Sequence, residues 1–237
     1  RQAMHLQDKL DQTYGRRREK ASIGLYNFSL ITLPLHYGVA KPSEASFVPL
    51  ASEEKMNLKE ILEKHPKGIE YGHIVRHHAV WSILSDAEGK ILSFPPITNS
   101  NDLGKITHNV NEVLIEVTGT VHETVLNTLT TVAVSLADRG GQVYSATSLY
   151  PYEELKNVVT PQLETRTMQL DVKFVNEVLG FDLKTKEITE LLQKARFDVG
   201  NILKDSITVE IPCYRMDIMH PVDIVEDIAI AYGYNNI

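Results

Sequence analysis

The chain has 237 residues, 43% of them apolar, and a formal net charge of -7. That is enough apolar material for a core and unlike a disordered chain, while the negative balance argues against a surface that coats nucleic acid broadly. No apolar run reaches membrane-spanning length, and residues 1–5 lead into a polar stretch unlike a signal peptide; the single cysteine, Cys213, excludes an internal disulfide and fits a reducing compartment, the cytoplasm.

In chain order, residues 6–14 read as an amphipathic helix with Leu6 and Leu10 on one face. Gly15 interrupts it, and Arg16, Arg17 and Arg18 form either a basic helix surface or a phosphate contact. Residues 21–26 form a buried strand, and residues 56–64 a helix that ends at His65-Pro66-Lys67-Gly68. Residues 79–84 and 90–94 pair as a hairpin about an Asp86–Gly89 turn, with Trp81 and Phe94 as core aromatics. A polar connector, residues 97–104, is suited to face a cleft. Residues 112–120 form a strong strand. A long helix over 123–139 follows, turning Val125, Leu129, Val132, Ala133 and Leu136 inward and ending at Gly140-Gly141. Another strand spans 142–149.

Residues 1–155 thus read as a mixed α/β domain, and residues 156–237 as a second, small α+β module of winged-helix-like size. The module holds a strand over 167–172, a short helix closed by Gly180 and a helix from residue 185 or 186. A hairpin of residues 197–199 and 207–211 comes next, followed by a last helix opened by Pro221 and closed by Gly233. On that helix Val222, Val225, Ile228, Ala229 and Tyr232 recur at core spacing. Asp223, Glu226 and Asp227 share one face, within reach of Asp217 on the preceding loop. A solvated acidic face at a helix N-terminus explains this spacing. So does a hard-cation site, because Mg²⁺ prefers a few carboxylate oxygens and retained waters. The nine histidines are scattered, without a zinc-type spacing.

The run from Pro212 through Arg215, Asp217 and Ile218, continued by Asp223 to Ile237, resembles the beta subunit of phenylalanine–tRNA ligase, of the cytosolic eukaryotic and archaeal type. Earlier stretches add to the resemblance. They are Arg18 with Ala21–Gly24, Lys41-Pro42-Ser43 with Phe47–Leu50, Gly89–Asn99, and Glu112–Thr120, so that it covers nearly the whole chain. The resemblance implies an alpha₂beta₂ enzyme that charges tRNA with phenylalanine using ATP and Mg²⁺. Its partners are the alpha subunit, a second beta subunit and the phenylalanine tRNA, and this chain alone is not expected to aminoacylate. It implies that Asp217, Asp223, Glu226 and Asp227 are Mg²⁺ ligands shared with a partner subunit. It also implies that the first domain hydrolyses tyrosine mischarged onto the same tRNA, because an apolar pocket rejects an added hydroxyl only weakly. Glu116 matches the glutamate that reads the tyrosine hydroxyl, with Asn99 and Thr118 as further pocket candidates. No Ser-His-Asp or Cys-His spacing suggests a covalent nucleophile.

The chain departs from the family where Gly-Thr-His-Asp-Leu is usual: it reads Gly24, Leu25, Tyr26, Asn27 and Phe28. It also has Val110 where a threonine is usual. These changes favour a second hypothesis, a structural and subunit-interaction module that no longer edits. Retained Glu116 favours the first. Arg1 is not an initiator methionine, so the sequence reads as a piece of a longer protein.

Overall fold

The computed structural model describes residues 2–152, 154 and 156–236. Two compact units divide the chain, Arg1–Pro161 and Gln162–Ile237. Leu155, where the sequence suggests that the second unit begins, lies outside the described residues, as does Arg1. The fold is a mixed α/β architecture with open sheets.

The first unit runs α1 (Gln2–Gln12), β1 (Ala21–Asn27), β2 (His36–Ala40), β3 (Ser46–Phe47), β4 (Met56–Asn57), α2 (Leu58–Lys64) and α3 (Pro66–Tyr71). It continues through β5 (Trp81–Ser85), β6 (Ile91–Phe94), β7 (Thr98–Asn99), β8 (Val113–Gly119), α4 (His122–Ala137), β9 (Ala146–Ser148) and β10 (Val158–Thr160). Its largest sheet has the order β2-β5-β6-β7. Around it Trp81 and Phe94 are buried and stacked, with ring centroids 5.5 Å apart. His65 both ends α2 and caps α3, so the expected stop after residue 64 is a corner between two short helices. Asn57 caps α2 in a capping box with Glu60, whereas Ser52 serves a local turn.

The strand pair that positions the candidate pocket is β1-β8, antiparallel, with Ser22 opposite Thr118, Gly24 opposite Glu116 and Tyr26 opposite Leu114. Side chains two apart share a face, so these six residues form one surface. On the outer edge of β1, Ile23 is served by side chains. Gln7 donates to the Ile23 carbonyl at 2.8 Å, and the Ile23 amide donates to Asp11 at 3.1 Å. That requirement extends the inward side of α1 beyond the expected Leu6 and Leu10. Gln7 and Asp11, one turn apart, are its buried residues, and Leu6 and Leu10 are half-buried.

The helix α4 packs on β8 and β1. Its inward stripe is also rotated from expectation: Thr124, Thr128, Val132 and Ala133 are buried, while Val125, Leu129 and Leu136 are half-buried.

The second unit is β11 (Arg166–Asp171), α5 (Val172–Leu179), α6 (Thr185–Lys194), β12 (Asp198–Leu203), β13 (Ser206–Ile211) and α7 (Pro221–Tyr232), with sheet order β11-β13-β12. Strand alternation buries Ile207, Val209 and Ile211. They meet Leu170, Val175, Ile188, Leu192 and Phe197, and Ile224, Val225 and Ile228 of α7. Each such side chain contributes about 1.5–3 kcal/mol by leaving water. Gly180 closes α5 in the left-handed conformation, φ 74°. On α7 the expected Val222 is exposed, and Ile224 takes its place in the core.

Candidate functional site

A cavity of about 100 Å³ opens over the polar face of β1-β8, between those strands and the β6-β7 segment. Glu116, Asn99 and Thr118 all line it, together with Gln7, Arg18, Ser22, Gly24 and Lys67. The structure thus brings the three pocket candidates together from a strand end, a connector and the middle of β8.

Glu116 is the centre of the cluster. Tyr26 donates its phenolic hydroxyl to Glu116 Oε2 at 3.0 Å, with Asn99 Oδ1 at 3.3 Å from the same hydroxyl. Glu116 Oε1 is buried and has no hydrogen-bond partner. Burial raises the Glu116 pKa from 4.5 to about 7, against the opposing pull of the Tyr26 and Thr118 hydroxyls. The Tyr26 hydroxyl is itself pushed up by burial and by the neighbouring carboxylate. It therefore keeps its proton at neutral pH. Of the departures at Tyr26, Asn27 and Val110, Tyr26 alone reaches this cluster. Asn27 accepts from Ser29 on the surface, and neither Asn27 nor Val110 lines the cavity.

Arg18 forms one wall. Its guanidinium lies 3.0 Å from Asp11, donates to the Pro96 and Ile97 carbonyls at 3.1 and 3.0 Å, and sits 4.4 Å above the Tyr71 ring. Burial outweighs that cation and raises the Asp11 pKa to about 6. Arg16, Arg17 and Arg18 all have positive φ, 51°, 53° and 69°. The expected second helical turn is thus a left-handed turn, which non-glycine residues adopt only when the surroundings impose it. Arg18's four contacts supply that constraint. Gln7 and Asp11 were not singled out in the sequence. The only signal was a polar i,i+4 pair beside the two leucines on α1.

The acidic cluster lies in the second unit. Arg215 Nη2 is 2.6 Å from both Asp217 and Asp227 and holds them together, and its guanidinium lies 5.2 Å from the Phe197 ring. The Asp217 pKa is lowered, first by that hydrogen bond. Asp223 caps α7, accepting from the Met219 and His220 amides at 2.8 and 2.7 Å. Glu226 is exposed. Among the described residues no group of three or more His, Cys, Asp or Glu side chains is arranged to hold a metal. As they stand, the four carboxylates do not fit a magnesium ion within this chain. A guanidinium neutralises two of them, and backbone amides engage a third.

The fold and this acidic motif define a piece of a tRNA synthetase: the tRNA synthetase B5 domain matches residues 168–234. The chain is 39% identical over 236 residues to the phenylalanine–tRNA ligase beta subunit of Pyrococcus furiosus and 42% identical over 237 to that of Thermofilum pendens, covering 100% of itself in each case. A solved N-terminal fragment of the phenylalanyl-tRNA synthetase beta-subunit from Pyrococcus horikoshii superposes with a TM-score of 0.93 at 39% identity, over 98% of this chain and 66% of that one. This chain belongs to the family of phenylalanine–tRNA ligase beta subunits of archaeal and eukaryotic type. It spans 42% of the length of each of those two curated relatives. Among the described residues no helix is long and apolar enough to cross a membrane.

Proposed function

We propose that this chain supplies the editing and B5 portions of a phenylalanine–tRNA ligase beta subunit, within an alpha₂beta₂ enzyme that charges tRNA with phenylalanine using ATP. In this reading residues 1–155 hydrolyse tyrosine mischarged onto the phenylalanine tRNA, and residues 156–237 form the small module that meets partner subunits. A magnesium ion at Asp217, Asp223, Glu226 and Asp227 belongs to the reading only with further donors from the alpha subunit and with Arg215 displaced.

The observation that carries the editing role is the Glu116 carboxylate, buried at a cavity with one oxygen free to accept. A hydroxyl on the substrate satisfies that oxygen, whereas phenylalanine leaves it unpaired, at about 1–3 kcal/mol. Hydrolysis splits the aminoacyl ester with one water, releasing the amino acid and the free ribose hydroxyl. The cavity offers polar side chains to orient that water and no paired nucleophile and base.

A second reading, a subunit-interaction module without hydrolysis, has its own observation: Tyr26 already engages Glu116. The experiment is deacylation of tyrosine mischarged onto the phenylalanine tRNA, by the chain and by its Glu116→Ala variant. Hydrolysis above the protein-free rate that the substitution slows supports editing. Hydrolysis at the protein-free rate, from folded protein, supports the second reading.

A further inference from the structure

The contact that Glu116 makes with Tyr26 has the chemistry expected of its substrate: a phenol donating to a buried carboxylate. The Tyr26 ring is wholly buried among Leu84, Leu92 and Leu103, and its hydroxyl lies behind the cavity wall, against the lining residues Gly24, Asn99 and Glu116. Asn99 Oδ1 and Glu116 Oε2 accept from it, and a Cβ built on Gly24 would come within 2.4 Å of it. Gly24 therefore leaves open the space that this hydroxyl fills. What remains is a cavity of about 100 Å³, less than the roughly 150 Å³ hole that admits benzene. That space is smaller than an aromatic ring needs, so a second phenol ring finds no room beside the first.

We propose that Tyr26 is an internal competitor for the hydroxyl-reading position on Glu116, and so sets which side chains the pocket admits. This rests on the reading of Glu116 as a hydroxyl acceptor. An outside tyrosine enters only as Tyr26 withdraws, and the apparent affinity falls by the fraction of molecules in which it has withdrawn. Residue 26 thus sets how readily an outside ring enters this pocket, and Glu116 sets the preference for a hydroxyl on it.

The test titrates p-cresol and toluene into the whole chain as wild type, Tyr26→Ala, Tyr26→Phe and Tyr26→Ala/Glu116→Gln, at neutral pH by calorimetry, with circular dichroism as the fold control. Tyr26→Ala is expected to bind p-cresol at least about tenfold more tightly than wild type, by the removed competition. It should prefer p-cresol to toluene and lose that preference in the double variant. Tyr26→Phe, which retains the ring, is expected to stay closed to p-cresol. Wild type or Tyr26→Phe binding p-cresol as tightly as Tyr26→Ala would overturn the proposal. So would a folded Tyr26→Ala that binds neither compound. A folded Tyr26→Ala that binds both equally keeps the internal occupancy and removes the hydroxyl-reading role of Glu116. If Tyr26→Ala does not fold, Tyr26→Leu, which keeps apolar volume in the core, takes its place with the same expected order.

Discussion

Arg215 Nη2 lies 2.6 Å from Asp227 Oδ2, and this contact ties the loop after β13 to α7. Both side chains are about four-fifths withdrawn from solvent, with 21% and 19% exposed. Asp217, at 64%, is the solvated partner. Arg215→Met leaves Asp227 half-buried without its cation. It should lower the stability of the second unit by about 1–3 kcal/mol, between an exposed and a buried pair. A thermal melt with an unchanged transition would contradict that assignment.

The same guanidinium predicts the magnesium response of the chain alone. Millimolar Mg²⁺ should leave the wild-type melting temperature within about 1 °C, because only a ligand that binds the folded state raises it. In Arg215→Met the freed carboxylates should gain a Mg²⁺-dependent rise. A rise of several degrees in wild type would show that the carboxylates release arginine for the ion without the alpha subunit.

Glu116 and Asp11 give the first unit an unusual pH dependence. Burial raises their pKa values to about 7 and about 6, from 4.5 and 3.8. Groups raised in the folded state contribute fully below their unfolded values, and that contribution is lost as pH climbs through 6 and 7. Glu116→Gln should therefore be close to neutral at pH 5 and stabilising by about 1–3 kcal/mol at pH 8. Urea midpoints at the two values check it, and an equal difference at both would contradict it. Asp217 acts in the opposite direction: its lowered pKa adds stability at neutral pH that fades as pH falls below 3.8.

Arg18 is predicted to matter through what it holds. Arg18→Ala leaves a buried Asp11 and two carbonyls without their donor, a loss of about 3–5 kcal/mol. Arg18→Ala/Asp11→Asn should recover part of it, because no uncompensated carboxylate remains. A chemical-denaturation double-mutant cycle measures this, and simple additivity of the two losses would rule out the pairing.

Most strands and helices were legible because their apolar periodicity matches their burial, as at Ile207, Val209 and Ile211 in β13. The acidic run near Asp223 was legible as a motif, but its arrangement was not, because spacing along α7 says nothing of Arg215 folding back from the preceding loop. The full inward side of α1 was not legible for a related reason. Leu6 and Leu10 look like the buried face, yet the open edge of β1 needs Gln7 and Asp11 for the Ile23 backbone. Polar groups buried to serve another element carry no hydrophobic signal. The left-handed turn at Arg16–Arg18 is equally silent in sequence, since none of its three left-handed residues is a glycine. Tyr26 was visible as a departure from the family, and only its geometry shows that the changed residue reaches Glu116.

The most direct test of the account is discrimination by the pocket itself. The ratio of deacylation rates for tyrosine and phenylalanine esters of the phenylalanine tRNA should be measured for the chain with Glu116 intact and as Glu116→Gln. The account predicts a ratio above one that falls toward unity in the variant, by roughly the 1–3 kcal/mol of an unpaired acceptor. A ratio that the substitution leaves unchanged would contradict the role given to Glu116.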